Sequence, residues 1–132
     1  MSQDPPRRLQ PLCEKIGRER LDRTVREFYE RLLVDSELGP YFTALPDLDA
    51  HIAHIAHIAE FWWTAMGGMP EGEPVFDMIG RHAPLGITEA LLDRWLMIFE
   101  QTVHDELPEE LAGQWVTMAN AVAERLRNAV LP

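Results

Sequence analysis

The sequence predicts an all-α fold, and three features carry that reading. Apolar residues recur at three- and four-residue steps through most of the chain, while the alternation of a half-buried strand is nearly absent. Helix-starting and helix-stopping residues, among them Asp47, Thr88, Gly39-Pro40 and Gly67-Gly68, fall where those periodic runs begin and end. The 132 residues are 46% apolar and 26% charged, enough for one soluble domain with a sizeable core. Residues 1–132 are read as that single domain, with 1–11 expected to be a flexible extension.

The first long helix is predicted in "RERLDRTVREFYERLLVD", where Leu21, Val25, Phe28, Tyr29, Leu32 and Leu33 form one apolar face. "DSELGPYF" ends it with Gly39 and Pro40 and is predicted as a short turn carrying Tyr41 and Phe42. The second helix runs from about Asp47 to Met66, entered through "PDLD" with Asp47 or Asp49 as N-cap. "GGMPEGEPVFDMIGRHAPLGI", rich in Gly and Pro, reads as an irregular connection with about one helical turn. A connection of that length inside a compact domain is more often functional than idle. Thr88 then caps "TEALLDRWLMIFEQTVHDEL", and Pro108 introduces a last amphipathic helix to Val130.

A formal net charge of −10 argues against affinity for nucleic acid or an anionic membrane, which need a basic surface. Cys13 is the only cysteine, so an internal disulfide and a Cys-rich zinc or iron–sulfur site are excluded. Cys13 itself is expected to be a small buried hydrophobe. The start lacks the apolar core of a signal peptide and no apolar run reaches 18 residues, so a cytoplasmic location is expected.

The segment "HIAHIAHIAEFWW" holds three of the five histidines, each three residues from the next. In a helix each such step turns a side chain back by about 60°, so His51 and His57 diverge by about 120° and cannot comfortably share an ion. A metal site built on the repeat therefore stands behind solvated histidines on a polar face. Ile55, Ile58, Trp62 and Met66 follow the apolar stripe of this helix, and His54 borders it. His82, in "GRHAPLGI", sits among small and apolar residues with no acid nearby in the sequence. A neutral imidazole in such surroundings suits an axial ligand of a porphyrin iron, and equally a buried histidine bonded to backbone carbonyls.

"EFYERLLVDSELGPYF", "HIAHIAEFWW", "RHAPL" and "DRWLMIFEQTV" stand in the order and at the separations found in truncated haemoglobins. The chain resembles that family from about Leu12 to Arg127, and group III most, because no glycine pair immediately precedes His82. The resemblance implies a truncated globin fold, a two-over-two helical sandwich around one non-covalent haem b. His82 would be the proximal iron ligand, and Tyr29, His54 and Trp95 would stabilise a bound ligand on the distal side. Phe28, Phe42, Ile58, Trp62, Leu85, Ile87 and Phe99 would meet the porphyrin, with Arg81, or second Arg94, serving a propionate. His51 and His57 are expected at the solvent side or rim. No C-x-x-C-H is present, which excludes a c-type linkage.

The implied activity is reversible binding of oxygen, nitric oxide or carbon monoxide. Three distal donors favour redox or detoxification chemistry, such as nitric oxide dioxygenation or peroxide reduction with an external reductase, over bulk oxygen transport. A cofactor-free helical interaction module and a non-haem metal protein using the histidine repeat stand as alternatives.

Overall fold

The computed structural model describes residues 10–43, 47–69 and 86–130. Arg81, His82 and Leu85, with most of the Gly- and Pro-rich connection and residues 1–9 of the extension, lie outside these. Among the described residues six helices follow in order: α1 (Leu12–Ile16), α2 (Arg18–Val34), α3 (Gly39–Thr43), α4 (Leu48–Ala65), α5 (Glu89–Glu106) and α6 (Glu109–Val130). Among the described residues every regular element is a helix.

The stripe predicted on α2 is the one that packs. Leu21, Val25, Phe28, Tyr29 and Leu32 are buried, and Leu33, one step round the helix, is half-buried. Thr24 is buried among them at little cost, because its hydroxyl donates to the Arg20 carbonyl at 2.7 Å. Gly17, at φ 86°, lets the chain pass directly from α1 to α2. Arg20 reaches back across that joint, donating from Nε to the Ile16 carbonyl and from Nη2 to that of Lys15. The last carbonyls of α1 thus find partners.

Asp35 ends α2, and its carboxylate accepts from the Glu37 and Leu38 N–H groups at 3.1 and 2.9 Å. The turn predicted after it is instead the five-residue helix α3. It folds tightly against the end of α2: a Cβ on Gly39 would stand 2.6 Å from the Leu33 carbonyl oxygen. On α4 the cap is Asp47, whose side chain accepts from the Ala50 N–H at 2.9 Å. Thr88 caps α5 through the Leu91 N–H at 3.2 Å, as its position before the apolar run predicts.

Helices α2 and α4 pack as one pair and α5 and α6 as another; α2 lies on α5, and α1 touches α2 and α6. The centre is aromatic. Phe99 stacks on Trp95 (5.5 Å, 12°) and on Trp62 (5.4 Å, 30°), while Phe28 and Trp115 meet it edge-on. Offset and edge-on pairs of this kind each add about 0.5–1.5 kcal/mol beyond the burial of their area. Trp115 is fully buried and Trp63 half-buried.

Burial along α4 is uneven. Ala59, Trp62 and Met66, in and beyond its C-terminal half, are buried, whereas Leu48 and Ile52 are 72% and 55% exposed. Ion pairs lace the helices at the surface. Arg18 joins Asp22 and Glu60 with its guanidinium 5.4 Å from the Trp63 ring, Arg31 joins Asp105, and Arg127 joins Glu89 and Asp93. Each such exposed pair contributes about 0–1 kcal/mol, so the aromatic centre dominates stability. No helix among the described residues is long and apolar enough to cross a membrane.

Candidate functional site

Four residues from three helices converge beside the α2–α4 contact. Tyr29 comes from the middle of α2, Phe42 from α3, and His51 and His54 from the first two turns of α4. The Tyr29 ring meets Phe42 edge-on at 5.4 Å, His51 at 5.8 Å and His54 at 5.5 Å, and Phe42 meets His54 at 5.8 Å. The Tyr29 hydroxyl is 2.6 Å from His51 Nδ1. Tyr29 is 1% exposed, and burial pushes its phenol above the ordinary value. It is therefore a protonated hydroxyl at neutral pH, able to donate as well as accept.

His51, expected at the solvent side or rim, is half-buried and has its Nδ1 against the tyrosine hydroxyl, a partner that the sequence reading did not name. The signal was available, since a three-residue step turns a helical side chain by only about 60°, leaving His51 beside His54. What periodicity does not show is that α2 lies along α4 in the opposite direction, with Arg18 at Glu60 and Tyr29 at His51. His57, one step further, is exposed as expected.

Trp95 enters from α5. It is half-buried, stacked on Phe99 and edge-on to Phe28 at 5.5 Å, the neighbour of Tyr29 in the chain. Phe28, Trp62 and Phe99 are almost wholly buried and spend their ring contacts on one another and on Trp95, Trp115 and Phe61. They form the floor on which Trp95 rests. Ile55, Ile58 and Ile87 are half-buried. Ile55 and Ile58 pack against the core at its border.

Arg94, the second choice for a propionate, has its guanidinium on the Asp35 carboxylate through Nε and Nη2 at 2.6–2.9 Å, with Glu37 at 3.4 Å, so its charge is engaged at the end of α2. Hydrogen bonds from Arg94, opposed by burial and joined by the Leu38 and Glu37 N–H groups, hold the Asp35 carboxyl at about 2. Cys13 is buried, and burial raises its thiol above the ordinary value. Among the described residues no group of three or more His, Cys, Asp or Glu side chains is placed to hold a metal ion.

The fold and this aromatic–imidazole cluster place the molecule in the class of truncated, two-over-two globins. The group III truncated haemoglobin of Campylobacter jejuni is 25% identical with a TM-score of 0.75, over 87% of this chain and 91% of that one. The 2/2 haemoglobin of Synechococcus sp. PCC 7002, solved in the cyanomet state with covalently attached haem, is 26% identical with a TM-score of 0.77, over 92% and 98%. A thermostable haemoglobin from Thermobifida fusca is 26% identical with a TM-score of 0.76, over 93% and 99%. No curated protein matches the sequence. The family model for bacterial-like globins matches residues 11–128, and the chain belongs to that family.

Proposed function

We propose that this chain is a haem-binding truncated haemoglobin of the group III type, taking oxygen, nitric oxide or carbon monoxide. The observation that carries the reading is the desolvated Tyr29 hydroxyl, set with His54 and Phe42 at the border between polar and apolar surface. The donor set fits the group: neutral hydrogen-bonding rings of a phenol and imidazoles on one side, apolar side chains around them. A bound haem supplies an iron at which diatomic molecules bind and at which they can be reduced or oxidised.

The protein residues supply the rest. His82, in "RHAPL", would hold the haem iron through a neutral imidazole, as its apolar sequence surroundings favour. Phe42, Ile58, Trp62, Leu85 and Ile87 give the porphyrin its apolar contacts, with Phe28 and Phe99 backing them, and burial at about 25 cal/mol per Å² holds it without covalent attachment. Cys13 lies in the core, away from any thioether linkage. Arg81 serves a propionate.

Tyr29, Trp95 and His54 donate toward the ligand. Donors fixed in a dry pocket stabilise charge on the ligand better than water, because they are already oriented and poorly screened. Slow release follows, and it suits oxidation of nitric oxide or reduction of peroxide, with electrons from a separate reductase, more than bulk carriage of oxygen.

The test is the absorption spectrum of the purified protein. A strong band at about 400–430 nm is expected of histidine-ligated haem, and His82→Gly should remove or displace it. Tyr29→Phe and Trp95→Leu should each speed oxygen release by about fivefold or more, the effect of about one hydrogen bond. Protein that stays colourless and refuses added haemin overturns the reading.

A further inference from the structure

Tyr29 has a partner that the ligand-binding reading does not use. His51 Nδ1 lies 2.6 Å from the Tyr29 hydroxyl, and the contact joins α4 to α2 across 22 residues. The His51 backbone N–H bonds the Asp47 carbonyl at 3.3 Å, which places the residue in the first turn of α4, on the capped end of the helix. The residue is half-buried, and its ring meets the phenol edge-on at 5.8 Å between centroids.

A phenolic oxygen carries one proton and accepts through its lone pairs, and a neutral imidazole carries one N–H. The contact therefore has two forms. In one, Tyr29 donates to Nδ1, so its proton is spent on the histidine and its lone pairs face the pocket. In the other, Nδ1–H donates to Tyr29, and the phenolic proton is left for the pocket side. A diatomic ligand carrying partial negative charge selects the second form, because the first would set lone pair against lone pair. Accepting a hydrogen bond also polarises the hydroxyl and strengthens the one it donates.

We propose that His51 is the positioning residue for Tyr29: its Nδ1–H holds the phenolic oxygen and turns the phenolic proton toward the ligand. The proposal rests on the haem reading above. It makes the ligand-stabilising strength of Tyr29 a property of the His51–Tyr29 pair.

The experiment compares His51→Leu, His51→Asn, Tyr29→Phe and the His51→Leu/Tyr29→Phe double variant as full-length, haem-loaded proteins. Haem uptake is read from the absorption spectrum before oxygen release is timed. His51→Leu should release oxygen roughly fivefold faster, as expected for one lost hydrogen bond, with normal haem uptake. His51→Asn, whose amide nitrogen, like Nδ1, is bonded to Cγ and so replaces the donor, should stay within about twofold of the wild type. In the Tyr29→Phe background His51→Leu should have no further effect, since the pair has already been broken. The ¹⁵N resonance of His51 Nδ1, recorded on the diamagnetic carbon monoxide form, should move in Tyr29→Phe. Normal haem uptake with unchanged release in His51→Leu, an equal effect in both backgrounds, or an unmoved Nδ1 resonance each overturns the role of His51 alone. Wild-type protein that takes up no haemin overturns the haem reading and this proposal together.

Discussion

Tyr29 shows how much one side chain can be asked to do when it is desolvated. Burial keeps its hydroxyl protonated, and packing among Phe42, His51 and His54 leaves that hydroxyl few directions to point. The neighbouring constraint is steric. Gly39→Ala would drive a methyl group into the Leu33 carbonyl, a backbone atom that cannot swing aside. Because α3 carries Phe42, the variant is expected to lose about 1–3 kcal/mol in a urea titration and to loosen the Phe42–Tyr29 contact. An unchanged midpoint would show that α3 can shift without strain.

The helices themselves were largely legible in the sequence. Three- and four-residue spacing marked the buried stripe of α2, and Thr88 and Asp47 marked the starts of α5 and α4 because their side chains satisfy local N–H groups. Long-range pairings were not legible. Arg94 and Asp35 are 59 residues apart, and nothing local distinguishes an arginine committed to a helix end from one left for a ligand. That pair has a pH signature. In the unfolded chain the carboxyl titrates near 4, and in the fold it is lowered to about 2, so its stabilisation is complete above about pH 4 and lost as pH falls through about 2. Arg94→Met should thus be less stable than the wild type at neutral pH, with the gap closing below about pH 2 in acid-dependent denaturation. A gap that persists undiminished at low pH would mean that packing, not charge, holds Arg94. The His51–Tyr29 pairing was hidden for the same reason: it depends on where two helices meet, not on either helix.

At the level of the whole molecule, the aromatic centre joins the two helix pairs, and Phe99 is its hub. Phe99→Ala should cost about 3–5 kcal/mol, because four aromatic neighbours would face a cavity. Trp95 would then lose its support, so ligand release and thermal midpoint should change together. Helix α4 reaches this centre only through its second half. Its second half is clamped at Trp62, whereas its first turns rest on half-buried rings and the His51–Tyr29 hydrogen bond, a lighter hold that leaves Leu48 exposed. Amide hydrogens of residues 51–57 should accordingly exchange with deuterium sooner than those of 59–65, so that the pairing of His51 with Tyr29 is what fastens the lightly buried half of the helix.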